Sequence, residues 1–387
     1  MTTPTTTPRP VLPAGLLLGS LLLFGVLAVQ IGSRAPLPTA GATPSPTPPA
    51  AQVLTHNPKL GVHTRLTDEQ DPQKIAQTLR LVREMGAAWD VEYFPWDYVQ
   101  PVDRAHFDWT HSDAVVAAAA HEGLTLVARL DGVPAWARPP QTTWRYLDPD
   151  HYADFAAFVA AFVTRYHDTV HYVILWNEPN LTSEWGMRPP DPPAYVALLK
   201  AGYAAAKRAD PAVTVLMAGL APTLVTDSQQ MHDTEFLQRV YDAGGGTAFD
   251  MLAAHSYGYN NPPDEPPSDD VHGMNFARAQ VLHDVMARNG DGAKPVMITE
   301  GGWNDSPRWI WSVKPYQRIE YTIRAYEKAR TEWPWCVAVN LWAFRLPAPA
   351  YTYMDNYTFV TPDFIPKPIY YEVQKYAVPA GALGAQP

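Results

Sequence analysis

At 387 residues, 47% of them hydrophobic, the chain is long enough for one large domain with a continuous core. A formal net charge of −10 with no basic run argues against a nucleic-acid partner and favours a neutral or cationic ligand. The single cysteine, Cys336, rules out a disulfide within the chain and reads as a small buried hydrophobe in Trp335-Cys-Val-Ala-Val339.

Residues 1–10 form a short tail, and residues 11–32 carry no charge and are dominated by Leu, Gly, Val and Ala. That stretch is long enough to cross a bilayer. Only Pro38-Thr-Ala-Gly41 offers a cleavage-like pattern, so an uncleaved membrane anchor is expected ahead of a secretory signal. Arg9 and Arg34 flank the segment too evenly to fix its orientation. A Pro/Thr-rich linker over 33–57 then lifts a globular body off the membrane, which places that body most naturally outside the cytoplasm.

The body spans 58–378 and alternates strand with helix, before a flexible tail over 379–387. Apolar runs bounded by Gly, Pro and Asp predict strands over 61–66, 87–93, 124–130, 172–178, 213–218, 249–257, 295–300 and 337–342. Helical periodicity fills the gaps over 72–85, 112–122, 152–166, 193–208, 234–243, 276–289 and 316–331, with a closing helix over 366–377. Ser112 is the expected N-cap of the second of these. Eight strands alternating with helices predict an α/β fold of the (β/α)8, or TIM-barrel, type rather than an open sheet.

Two strand ends carry the chemistry. Tyr172-Val-Ile-Leu-Trp-Asn-Glu-Pro-Asn180 runs without polar alternation, as a strand covered on both faces does, and Pro179 stops it. Glu178, preceding a proline, is expected in extended backbone at the carboxyl end of strand four. Lys294-Pro-Val-Met-Ile-Thr-Glu-Gly-Gly-Trp303 repeats the pattern and sets Glu300 at the end of strand seven. A barrel brings such ends to one mouth. Two carboxyl groups facing each other there meet the demand of glycosidic-bond hydrolysis, one protonating the departing oxygen and the other attacking or stabilising the sugar cation.

Other candidates follow from position. His255 and Tyr257, two apart in strand six, share a face that ends beside strand seven, where the tyrosine hydroxyl can hold a carboxylate in place. Asn177 offers an amide to a sugar hydroxyl. Among the tryptophans at strand ends (Trp96, Trp136, Trp185, Trp303 and Trp342), Trp342 is the best candidate for a sugar-stacking floor and Trp303 a further one. Asp90, Glu92 and Asp131 read as solvated loop acids. His167 and His171 straddle a helix-to-strand junction without a third ligand, so neither a metal nor a cofactor is expected.

Trp176-Asn-Glu-Pro-Asn180, Ile298-Thr-Glu-Gly-Gly-Trp303, His255-Ser-Tyr257, Leu341-Trp-Ala-Phe344 and Pro366-Lys-Pro-Ile-Tyr-Tyr371 together resemble the retaining glycoside hydrolases of clan A, nearest to families 39 and 5. The resemblance covers roughly residues 58–378. It implies Glu178 as acid/base, Glu300 as nucleophile, Asn177 as partner of the sugar 2-hydroxyl and Tyr257 as the residue orienting the nucleophile. Family 5 members often carry an arginine near the nucleophile from an early strand, where residues 89–96 offer Asp90 and Glu92 instead. The expectation is a membrane-tethered or secreted glycosidase acting on an oligo- or polysaccharide, the alternative being a catalytically silent, envelope-anchored barrel that binds glycans or partner proteins.

Overall fold

The apolar runs become strands of one closed parallel barrel in a computed structural model that describes residues 51–268 and 273–382. In chain order the elements are β1 (Leu60–His63), α1 (Pro72–Glu84), β2 (Trp89–Pro95), α2 (Trp96–Val99), α3 (Thr110–His121), β3 (Thr125–Asp131), α4 (Tyr152–Tyr166), β4 (Tyr172–Leu175), α5 (Pro192–Ala209), β5 (Thr214–Met217), α6 (Asp233–Asp242), β6 (Met251–Tyr257), α7 (Arg278–Arg288), β7 (Val296–Gly302), α8 (Pro315–Thr331), β8 (Cys336–Trp342) and α9 (Pro368–Ala377). Each strand pairs with the next, and β8 returns to β1 through Leu60 opposite Val339 and His63 opposite Trp342. The expected (β/α)8 architecture is thus present. The expected anchor and most of the linker lie outside the described residues, as do residues 383–387 of the expected tail. Among the described residues no helix is long and apolar enough to cross a membrane.

Alternation along each strand divides the core into two layers. Val91, Val127, Ile174, Leu216, Met251, Ala253, Met297 and Ala338 fill the barrel interior. The intervening residues, among them Val173, Leu175, Val215, Leu252 and Ile298, pack outward against the helices. Each such aliphatic side chain contributes roughly 1.5–3 kcal/mol on burial, so the barrel is a packed core with its mouth above it.

Helix α1 shows how the outer layer docks. Ile75, Leu79 and Val82 fall on one face and are buried, Pro72 opens the first turn, and the Asp71 carboxylate accepts from the Gln73 N–H at 2.9 Å. Ser112 is not the cap expected of it. α3 begins at Thr110, whose N–H donates to the Asp108 carboxylate at 3.0 Å, and Ser112 is buried inside the helix. α2 follows β2 directly, with the indole of Trp96 wedged against Phe155, Phe158 and Trp136.

Candidate active site

The inward face of each strand continues past the apolar layer into the mouth, and there it becomes polar. His63 tops β1, Tyr93 β2, Arg129 and Asp131 β3, His255 and Tyr257 β6, and Trp342 β8. β4 and β7 deliver their carboxylates by breaking the alternation. After Leu175 the chain does not stay extended: φ is +82° at Trp176 and +37° at Glu178. Such left-handed residues cost about 1–3 kcal/mol each and persist only where tertiary contacts hold them. Here the Trp176 N–H donates to the Leu130 carbonyl, its indole N–H to the Glu184 carbonyl at 2.9 Å, and the Glu178 N–H to the Gly219 carbonyl at 3.0 Å. The twist sends the Trp176 ring outward among Phe155 and Trp185, and turns Asn177 and Glu178, adjacent in sequence, both toward the mouth.

On β7 a bulge does the equivalent work. Ala254 pairs with Ile298 but His255 pairs with Glu300, so Thr299 is an extra residue on that strand. Simple alternation from Met297 would have pointed Thr299 inward and Glu300 away. The extra residue reverses the phase and aims Glu300 at the mouth.

The two carboxylates then meet around one imidazole. Glu178, His255 and Glu300 each present an oxygen or nitrogen such that these atoms all lie within 4.8 Å of one another. His255 Nδ1 lies 2.8 Å from Glu178 Oε1 and 3.9 Å from Glu300 Oε2. Its ring fits because residue 219 is glycine: a Cβ there would stand 2.3 Å from His255 Nε2. Glu300 is gripped at both oxygens, Oε1 accepting from Arg129 Nη1 at 2.9 Å and Oε2 from the Tyr257 hydroxyl at 3.0 Å.

These contacts set the charges. Burial alone would push the Glu300 carboxyl up, but the charges of His255, His63 and Arg129 and the Tyr257 hydrogen bond outweigh it and hold the group at about 2. Burial works against the charged form of His255 too, yet the two carboxylates beside it raise its pKa. His63 is the opposite case, burial depressing it to about 3, so that its charge reaches Glu300 Oε1, 3.9 Å from Nε2, only in the acid range where Glu300 itself titrates. The same three groups offer ligand atoms to a cation. The guanidinium on Glu300 Oε1 opposes one, and both Glu300 oxygens already accept, so acid/base and nucleophilic chemistry fits the set better than metal ligation.

A buried charge network extends from this centre. Arg129 also donates to Asn177 Oδ1 at 3.1 Å and pairs with Asp131 at 3.2 Å, while its guanidinium lies 4.6 Å from the centre of the Tyr93 ring. Arg145 pairs with Asp131, and with Glu184 at 2.9 Å. Glu184 in turn accepts from Asn177 Nδ2 at 3.2 Å. Asn177 is therefore clamped at both ends of its amide, leaving one N–H to meet a ligand.

Sequence reasoning placed Glu178, Glu300, Asn177, His255, Tyr257 and Trp342 near one another, and the structure brings them to one mouth, Trp342 half-buried and edge-on to Tyr357 at 5.5 Å. Trp303 is corrected: at 1% exposure it lies in the outer core against Phe276 and Tyr321, its N–H donating to the Asn261 carbonyl, and is closed to a sugar. Asp90, Glu92 and Asp131 are corrected as well, all three being fully buried. Glu178 is left-handed rather than extended. The arginine that residues 89–96 lack is supplied by β3, as Arg129. Its signal was legible, since a lone charge inside the apolar run Leu124-Thr-Leu-Val-Ala-Arg-Leu130 needs a buried partner. His63, Arg145 and Glu184 gave no comparable sign.

In sequence the chain matches no protein-family model and no curated protein. In structure it is similar to a family 39 glycoside hydrolase from the gut symbiont Bacteroides cellulosilyticus WH2, with a TM-score of 0.68 and 23% identity over 83% of this chain and 63% of that one. It is also similar to the GH39 enzyme of Xanthomonas axonopodis pv. citri, with a TM-score of 0.60 and 17% identity over 84% and 67%. A third neighbour is a GH5_18 variant from Bifidobacterium longum subsp. longum in complex with Manb1-4GlcNAc, with a TM-score of 0.63 and 16% identity over 82% and 77%. These are the clan A barrels that the motifs resemble, and at such identities the likeness is one of fold. The chain spans less than two thirds of the Bacteroides cellulosilyticus enzyme.

Proposed function

We propose that this protein is a retaining glycoside hydrolase acting on a β-linked oligo- or polysaccharide outside the cytoplasm, with residues 11–32 as its membrane anchor. The observation that carries the reading is the approach of Glu178 and Glu300, with a carboxylate oxygen of each within 4.8 Å of the other across the barrel mouth. Retaining enzymes hold the pair about 5 Å apart, whereas inverting ones leave roughly 6.5 Å or more for a water. The neighbours' catalogue of glycoside hydrolases supports the reaction class, and the bound Manb1-4GlcNAc of one supports a β-linked substrate.

The roles follow from the contacts. Glu300, held ionised by Arg129 and Tyr257, attacks the anomeric carbon as Glu178 gives its proton to the departing oxygen; one C–O bond forms on Glu300 and the glycosidic C–O bond breaks. Glu178 then takes a proton from water, which attacks the same carbon and frees Glu300. His255, bonded to Glu178 and 3.9 Å from Glu300, fixes the acid/base carboxyl in place beside the nucleophile.

The test is stereochemical. Proton NMR of the first product released from an aryl β-glycoside should show the β-anomer. Glu300→Gln should be inactive but folded, and Glu178→Ala should regain turnover of an activated aryl glycoside with azide, yielding the β-glycosyl azide. An α-anomer as first product would make the enzyme inverting, and full activity of Glu300→Gln would remove Glu300 from the mechanism.

A further inference from the structure

Aromatic rings run outward from the catalytic pair along one side of the mouth. Tyr257, the donor to Glu300, packs edge-on to Tyr357 at 5.6 Å and beside Tyr259 at 6.3 Å. Tyr357 meets both Trp342 and Trp309, Trp309 stacks on Tyr353 at 4.8 Å, and Tyr259 stands between Trp309 and Trp311 at 6.3 and 6.0 Å. The rings come from the end of β6, the loop between β7 and α8, and the loop between β8 and α9. Exposure rises along the way: Tyr357 is buried, Trp309 and Tyr353 half-buried, and Trp311 40% exposed.

Two observations separate this row from an incidental hydrophobic loop. First, it is held in place before any ligand arrives. Asn304 Nδ2 donates to the Tyr353 carbonyl at 2.6 Å, the Val313 N–H to the Asn304 carbonyl at 2.9 Å and the Ser312 hydroxyl to the Trp309 carbonyl at 2.7 Å, while Arg318 ties both loops through the Trp303 and Thr358 carbonyls. Tyr259 is fixed at φ +51°, a conformation that tyrosine adopts only under constraint. Secondly, the contact of Trp311 with Tyr259 is edge-on, at 69° between planes, which leaves indole surface open to solvent where a core tryptophan would be covered. An exposed indole such as Trp311, backed by buried and half-buried rings, matches the apolar face and hydroxyl rim of a pyranose.

We propose that this row is a binding rail for sugar units beyond the one held between Glu178 and Glu300, so that the substrate is a carbohydrate chain several units long rather than a terminal disaccharide. The inference rests on the hydrolase reading above and deepens it. Trp311 and Trp309 are its outer specificity determinants, acting on binding of the chain and not on bond cleavage.

The experiment compares wild type with Trp311→Ala and with Trp309→Ala, using the full chain, on p-nitrophenyl β-glycosides and on ladders of β-linked gluco-, manno-, xylo- and N-acetylglucosamine oligosaccharides. On aryl monosaccharides kcat/KM should stay within about twofold of wild type. On the oligosaccharide that wild type prefers, the gain in kcat/KM with chain length should be lost by roughly five- to tenfold, through KM, in each variant. Trp311 is exposed, so its replacement leaves the fold intact even if that of Trp309 does not. Activity on aryl glycosides with no length dependence, or a length dependence that survives Trp311→Ala, overturns the rail while sparing the hydrolase reading. Should wild type cleave none of these compounds, the hydrolase reading fails, and tryptophan fluorescence decides the rail: oligosaccharide binding weakened in Trp311→Ala sustains it, and no binding by wild type overturns it.

Discussion

Arg129 shows how one side chain can decide whether a carboxylate is a nucleophile. Glu300 is buried, and burial by itself favours its neutral form; the charges of His255 and His63, then the guanidinium at 2.9 Å and the Tyr257 hydroxyl on the other oxygen, bring the group down to about 2. Ionisation is required for attack, so the acid limb of kcat/KM is expected far below the ordinary carboxylate range. In Arg129→Met the desolvation stays and its largest local compensation by a permanent charge goes. The Glu300 pKa then rises, and activity is lost at less acidic pH than in wild type. We expect kcat/KM on an aryl glycoside to fall about 10²-fold near neutrality, because a preorganised charged donor at the reacting centre is gone. Arg129→Lys keeps the charge without the fork and should move the limb less, while still releasing Asn177 Oδ1. A pH profile of kcat/KM for the three proteins checks this, and an unmoved acid limb in Arg129→Met would leave Arg129 a merely structural cation.

At the level of single elements, β2 carries a carboxyl outside the reacting set whose pKa burial pushes up. Asp90 and Glu92 alternate onto one face and share the Thr64 hydroxyl, at 2.9 and 2.6 Å. Glu92 further accepts from the Leu66 and Tyr93 N–H groups and the Thr67 hydroxyl, as a structural anion does. Asp90 has only Thr64. Burial first, and the Glu92 charge next, raise its pKa well above the ordinary 3.8. A raised folded pKa contributes stability that is fully present below 3.8 and is lost as pH rises through the folded value. Asp90→Asn carries no such proton and can donate its amide to Thr64, so its advantage over wild type should grow with pH. A Tm gain on the order of 2–4 °C at pH 8, shrinking toward pH 4, is expected by scanning calorimetry; a Tm difference independent of pH would mean that Asp90 is already ionised. The same strand shows what a sequence reveals. Its apolar rhythm located β2, but Asp90 and Glu92 looked like loop acids because nothing in composition reports that the chain of residues 64–67 folds over them. Likewise the runs before Glu178 and Glu300 were plain, whereas the left-handed turn at Trp176 and the extra Thr299 that aim those acids are one-residue events without a compositional mark.

At the scale of the whole chain, the periodic alternation of strand and helix was the most legible feature, because closing a barrel needs only that each unit bury its own faces. That self-sufficiency bears on the segment ahead of it. The buried core begins at Leu60, and the described residues just before it are tied on: the Ala51 N–H donates to the His121 carbonyl at 2.8 Å, the His56 N–H to the Ala377 carbonyl at 2.7 Å and the Asn57 amide to the Tyr326 carbonyl at 3.1 Å, with Val53 packed on the core. A chain starting at Ala51 keeps all of these contacts. The core side chains and mouth residues described above all lie beyond residue 50, and that shortened protein should unfold at the same Tm as the full chain and match its kcat on an aryl glycoside. Its partitioning should differ. With an uncharged stretch over 11–32 as anchor, the full chain should sediment with membranes, resist extraction at alkaline pH and be released by detergent, while the shortened chain stays in the supernatant. A full chain found soluble would discard the anchor and leave the catalytic reading intact; a shortened chain that fails to fold would show that residues before Ala51 contribute to the barrel after all.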